Sequence, residues 1–271
     1  MSGRSLYRIM SLEHFEQMCQ YNKLYFVKPK AWEDKYEGYL FQIINKYGLD
    51  HFLEFTKRHR NEFQDPEFNK LFASVFRAFE KMYFAQSWTL CPESDAMWKS
   101  YNHNNKSIRI EINESDVQKL NLFREKEIDR IKSIDILYEN DLSLIKELRR
   151  CGLGQNKTLT DSAFTVKRKD LYEHEKEVRL IKKVTSIVNE VNESDLERLT
   201  AQFFLATGEI PDLTTTRHPD HLWVDYSHVH NFIKSAYLHP KSSPIDEAKA
   251  SELCAKNNIV YLGRSRMLDP I

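Results

Sequence analysis

Apolar residues change their spacing along this chain, and each change marks an element. SLYRIM at residues 5–10 reads as a short strand. SLEHFEQMCQ then repeats Leu12, Phe15, Met18 and Cys19 at helical spacing behind Ser11, which predicts a helix with that serine at its N-cap. KLYFV (23–27) is a second strand, ended by Pro29, and AWEDKYEGYL after it is a charged, aromatic loop. From about residue 49 to 83 the helical period is longest. Phe68, Leu71, Phe72, Val75, Phe76, Phe79, Met82 and Tyr83 form one apolar stripe there, the mark of a core-facing helix. Downstream, YFAQSWTL is a strand, SDAMWKSY a short helix, and KSIRIEI a strand with clean alternation. ESDVQKLNLF predicts a helix, DRIKSIDILY a strand, and NDLSLIKELRR a helix capped by Asn140 or Asp141. EVRLIKKV is a strand, and ESDLERLTAQFFLA a helix starting near Ser194. WVDY and FIKSAYL are strands, IDEAKASELCAKNN a last helix capped near Pro244, and IVYL a last strand.

Strands and helices interleave, but several connections are too short for parallel crossovers. A mixed α+β sheet follows, read as one domain over 1–271 with a helical insertion at about 39–84. The 271 residues can bury a substantial core, and 41% hydrophobic with 12% aromatic residues carries no disorder signature. Lysine plus arginine equal aspartate plus glutamate at 40 each, so bulk charge does not draw in nucleic acid. Seven glycines argue against a Gly-rich phosphate loop. Cys19, Cys91, Cys151 and Cys254 are scattered, as reduced thiols are. With no signal-type h-region and no long apolar run, the expectation is a cytoplasmic protein that does not enter a membrane.

Candidate chemistry lies in a few places. Five histidines, His218, His221, His228, His230 and His239, crowd one stretch without ligands at metal-binding spacing, so no metal site is expected. Asp34 and Glu37 sit three apart in a loop, where paired carboxylates can do acid–base work or hold a cation. Tyr7, Trp88, Trp98 and Tyr101 are stacking candidates for a planar ring. The charge-dense stretch YEHEKEVRLIKK (172–183) raises the main question. Glu175 and Glu177, two apart on a strand, would share a face, as would Ser87 and Thr89. A fixed carboxylate can stabilise positive charge developing on a sugar, and a guanidinium such as Arg8 can grip pyrophosphate. The alternative is structural: a cross-strand ladder of ion pairs including Arg179, with Arg8 paired to a glutamate.

The order Arg8, then Ser87-Trp88-Thr89, then Glu175-Lys176-Glu177 resembles the arginine–serine–glutamate class of ADP-ribosyltransferases. That resemblance implies a split sheet around a cleft and NAD as substrate. It also implies NAD binding by Arg8, Ser87 and Thr89, catalysis by Glu177, and an acceptor-orienting Glu175. Independently, LYRIMS, KLYFVKPKAWEDKYEG, the SWT and SDAMWKSY block, EHEKEVRLI and SAYLHP resemble a large bacterial domain family of unknown function with abortive-infection members. Together the two likenesses imply a toxin or antiphage effector. It would transfer ADP-ribose to a macromolecular acceptor, protein or nucleic acid, under the control of an inhibitory or sensor partner. Two other readings remain open. One is a nucleic-acid-binding defence component using Arg149, Arg150, Lys167, Arg168, Lys169, Lys182 and Lys183. The other is a metal-dependent nuclease built on Asp34, Glu37 and the glutamates.

Overall fold

The computed structural model describes residues 3–29, 32, 83–121, 130–140, 166–183 and 220–267. Most of the expected helical insertion, the helices expected within 141–150 and 193–206, and Asp34, Glu37 and His218 lie outside them. The chain opens with β1 (Ser5–Ser11) and α1 (Leu12–Tyr21). Ser11 caps α1 by accepting the His14 backbone N–H at 3.1 Å, satisfying one of the donors a helix start leaves open. Asn22 ends the helix in the left-handed region at φ 51° and turns the chain into β2 (Lys23–Val27). Tyr83, which the sequence placed both at the end of the helical stripe and at the start of the strand YFAQSWTL, opens β3 (Tyr83–Thr89). Both of its phases are buried there, and continuous burial hides the period that separates a strand from a helix.

Next come α2 (Asp95–Ser100), capped by Ser94, β4 (Ser107–Asn113) and α3 (Glu114–Lys119). The single strand expected over DRIKSIDILY is two, β5 (Ile131–Asp135) and β6 (Leu137–Glu139). The Ile136 N–H still bonds the Glu177 carbonyl at 3.0 Å, in the register of the ladder that β5 makes with residues 178–182, but the Glu177 N–H turns to the Tyr138 hydroxyl and the ladder ends there. The short β7 (Val166–Arg168) leads into one turn of helix, α4 (Lys169–Tyr172). β8 (Glu177–Lys183), β9 (His221–Asp225), β10 (Ile233–Leu238), α5 (Pro244–Lys256) and β11 (Val260–Arg264) complete the set.

Nine of the strands form one mixed sheet, with β11, β10, β4, β1, β3, β2 and β9 in that order and β8 and β5 branching from β3. β6 and β7 pair separately. The long ladders are antiparallel, while β10 and β11 run parallel and are joined through α5, the kind of crossover a parallel pair requires.

β3 is the junction. One of its edges is matched to β8 over its whole length, from Tyr83↔Lys183 to Thr89↔Glu177. The other edge is claimed twice, by β1 through Tyr7↔Thr89 and by β2 through Val27↔Ala85. Extending either register puts Arg8 opposite Trp88 and Tyr25 opposite Ser87, so both strands cannot lie in the plane of the sheet. They part after a single pair each, and the sheet opens between them.

Alternation decides what each face carries. On β4, Ile108, Ile110 and Ile112 are fully buried and join Leu6, Phe15, Phe26, Phe84, Trp88 and Val178 in the main core under α1 and α5. Arg109 and Glu111 project to the opposite face, where Ile9, Met97 and Trp98 make a smaller apolar cluster. Truncating Ile110 at the centre of this sheet to alanine is expected to cost about 2–5 kcal/mol. Urea unfolding of the variant should show a lower midpoint with an unchanged slope.

Candidate functional site

The opening between β1 and β2 holds a cavity of about 280 Å³. Arg8 of β1, Gln86 of β3, Tyr25 of β2, His221 and Trp223 of β9 and His14 of α1 lie on its wall. Gln86 spans the gap: its amide donates to the Tyr25 carbonyl at 2.8 Å and its oxygen accepts the Trp88 indole N–H at 3.1 Å. The diverging strand edge is therefore satisfied by a side chain where no ladder partner is left. The Arg8 side chain makes no hydrogen bond or ion pair with any of the described residues, while its backbone is part of the β1–β4 ladder opposite Ile110. Burial pushes its guanidinium down to about 10, with the Tyr101 phenol as a smaller opposing influence. It remains a cation at neutral pH, half-buried and without an anion among the described residues.

A second polar group sits at the start of β8. Glu173–Glu175 form a 3-10 turn, and Lys176 takes a left-handed φ of 45°, so the strand begins only at Glu177. Glu175 and Glu177 thus do not share a strand face, contrary to the alternation read from sequence. They are brought together instead by Lys167, whose ammonium lies 3.2 Å from Glu175 and 2.8 Å from Glu177. The other oxygen of Glu177 accepts from Arg179 Nε at 2.8 Å, and both side chains are about 1% exposed. The Arg179 guanidinium also lies 4.8 Å from the Trp32 ring. The Glu177 N–H donates to the Tyr138 hydroxyl at 2.7 Å.

These contacts set the charges. Burial alone would raise the Glu177 carboxyl, but Arg179 and then Lys167 outweigh it and bring it to about 2. Burial likewise acts to lower the Lys167 ammonium, yet Glu177 and then Glu175 hold it above its ordinary range. Glu175 goes the other way. Burial raises it, Lys167 opposes, and the neighbouring Glu177 adds to the rise. Glu177 is a fixed anion at any physiological pH, and Glu175 is the more readily protonated of the two.

Thr89 is buried, and its hydroxyl donates to the Glu175 carbonyl while accepting the Cys91 N–H at 2.9 Å, tying down the turn before β8. Ser87, opposite Arg179 in the ladder, is half-buried, and its hydroxyl has no hydrogen-bond partner among the described residues. Trp88 and Trp98 are 2% and 1% exposed, so neither presents a ring face to a ligand. The Trp98 indole N–H donates to Glu93 at 2.8 Å. Tyr7 is half-buried with the Arg109 guanidinium 4.8 Å from its ring. Tyr101 is half-buried at the end of α2, and burial pushes its phenol up to about 12. Glu175, Glu177, Lys167 and Arg8 all act on it, so it lies within the field of both the cavity arginine and the glutamate cluster.

Of the histidines, His228 and His230 lie in the turn between β9 and β10 and not on a strand, His221 is exposed on β9, and His239 is buried. No grouping of three or more His, Cys, Asp or Glu side chains suited to a metal ion occurs among the described residues. Lys167 and Lys182 are 6% and 8% exposed, which removes both from any phosphate-binding surface. None of the described helices is long and apolar enough to cross a membrane.

Sequence reading missed Gln86, Tyr25 and Trp223, and it gave Lys167 a place in a phosphate-binding surface instead of beside the glutamates. The two aromatics had a signal, since each occupies the outward phase of a strand whose inward phase is aliphatic or phenylalanine. Lys167 had none, because its partners are eight and ten residues away across a turn. No family model and no curated protein matches the chain. Among solved structures, Thermus sp. 2.9 DarT in complex with ADP-ribosylated ssDNA is similar over 97% of this chain and 93% of that chain, at 8% sequence identity and a TM-score of 0.34.

The depressed Glu177 carboxyl gives a stability prediction. A group whose folded pKa lies below its ordinary value of 4.5 stabilises the fold above that value, and its contribution disappears as pH falls toward about 2. The shift corresponds to about 3 kcal/mol. Glu177→Gln should therefore lower stability by roughly 3–5 kcal/mol at pH 7, because it also removes a carboxylate from buried cations. Urea midpoints at pH 7, 4 and 3 should show the gap between variant and parent narrowing with acid; a gap independent of pH would contradict the assignment.

Proposed function

We propose that the protein consumes NAD as an ADP-ribosyltransferase-like enzyme, in the manner of a toxin or antiphage effector. The observation that carries the reading is Arg8. It is a charged, half-buried guanidinium with no anion beside it among the described residues, on the wall of a cavity formed where the sheet splits. A diphosphate supplies the missing partner, and guanidinium is the side chain best matched to it. Ser87, whose hydroxyl has no partner among the described residues, is the hydroxyl offered to a ribose oxygen on this reading.

The chemistry requires cleavage of the bond between the nicotinamide nitrogen and the ribose, with the electron pair leaving on nicotinamide and positive charge growing on the sugar. Glu177 is suited to that charge because it is ionised and held in place by Arg179, so no reorganisation accompanies the reaction. At 2% exposure it has no open side. On this reading the sugar takes the side that Lys167 now covers, and the ammonium moves fully onto Glu175, 3.2 Å away. Glu175, paired with that ammonium, is then placed to orient the acceptor nucleophile. Thr89 acts indirectly, by fixing the turn that carries Glu175. The acceptor is a macromolecule, and a sensor or inhibitory partner in the bacterial cytoplasm restrains the activity.

Purified protein incubated with NAD and cell extract should release nicotinamide. Arg8→Gln should lower kcat/KM about 10–100-fold through loss of a charged hydrogen bond. Glu177→Asp should lower kcat about 100-fold or more while retaining the buried ion pair better than glutamine. Undiminished release from both variants would remove the proposal.

A further inference from the structure

The ring candidates read from sequence are mostly spent in packing, but a different set of rings stands open beside Arg8. Tyr25 and Trp223 face each other across the β2–β9 ladder, are 37% and 41% exposed, and have centroids 4.8 Å apart. The His221 ring lies 5.0 Å from Tyr25 on the same face. All three line the cavity that Arg8 and Gln86 also line. Exposed aromatic rings on an edge strand are costly in water unless they have something to cover. The rings are tilted and not stacked on one another, at 55° between Tyr25 and Trp223, so their faces are not used up in mutual contact.

We infer that this wall receives the planar heteroaromatic base of a nucleotide whose phosphate is held by Arg8. The two halves need each other. A lone guanidinium would take any anion, and a lone aromatic wall would take any apolar surface. Together they select a flat ring joined to a phosphate through a sugar. Size agrees: about 280 Å³ lies at the lower edge of the roughly 300–1,000 Å³ that encloses drug-sized ligands, enough for one nucleotide and too little for a whole dinucleotide. His14 and Gln86 are the polar groups that remain for the sugar or the base edge. The inference deepens the NAD reading by assigning one nucleotide half of that molecule to this wall, and it rests on that reading only for the identity of the second half.

The test is calorimetric binding of AMP, ribose 5-phosphate and NAD to the full chain and to Trp223→Ala, Tyr25→Ala and Arg8→Gln. The two aromatic residues are exposed, so their variants should keep the parent thermal midpoint. Each aromatic variant should weaken AMP and NAD about tenfold or more, since a base stacked on an aromatic side chain contributes on that scale. Ribose 5-phosphate should bind more weakly than AMP and be unaffected by the aromatic changes, while Arg8→Gln should weaken all three. Equal AMP affinity in the parent and both aromatic variants overturns the inference, as does ribose 5-phosphate binding as tightly as AMP. No binding of AMP at millimolar concentration overturns it as well. AMP binding that depends on Trp223 without nicotinamide release leaves the inference standing and removes the transferase reading. Nicotinamide release with an unchanged KM in Trp223→Ala does the reverse.

Discussion

Two strands compete for one edge of β3, and the rest of the site follows from that conflict. β1 and β2 both enter antiparallel, and their registers overlap across Ala85–Thr89. A strand edge offers one set of donors and acceptors, so each neighbour keeps one pair and turns away. The backbone left over cannot remain unsatisfied, and Gln86 supplies the replacement contact to Tyr25. The opening exposes Arg8, which on an intact sheet would lie against a neighbouring strand. A concave site thus arises from hydrogen-bond geometry.

The glutamate cluster obeys a different constraint. Burying four charged side chains is unfavourable unless they compensate each other, and Glu175, Lys167, Glu177 and Arg179 do so as two anions and two cations. Lys167 draws both carboxyls down, but burial and the charge of Glu177 hold Glu175 up while Arg179 carries Glu177 further down, so one tends toward permanent ionisation and the other toward easier protonation. The same arrangement that serves stability also creates the asymmetry that acid–base chemistry uses. Structural ladder and functional pair are therefore two descriptions of one set of contacts, and the choice between them rests on the neighbouring cavity.

Elsewhere the polar face of the sheet is tied down by side chains far apart in sequence. Arg4 bridges Glu114 at 2.8 Å and Asp135 at 2.7 Å, linking β1, α3 and β5. Glu111 accepts from Ser5 and Ser235, each at 2.7 Å, across three adjacent strands. These contacts brace the β1 side of the opening while the aromatic side remains partly exposed.

By itself the sequence determined most of the described elements, because their signals are local. Ser11, Ser94 and Pro244 marked helix starts, and the alternation in SIRIEIN separated the isoleucines of the core from Arg109 and Glu111. It also ordered the charged residues along the chain, which was enough to name Arg8, Ser87 and Glu177 as candidates. It could not place Glu175 beside Glu177, because that depends on a 3-10 turn and a left-handed Lys176 where alternation predicts a continuous strand. Nor could it show that Trp88 and Trp98 are enclosed while Tyr25 and Trp223 are open. Both pairs are aromatic residues at similar local spacing, and their exposure depends on which strands lie next to them. Only the tertiary structure decided that, since a strand's neighbours are chosen by pairings between segments tens to hundreds of residues apart.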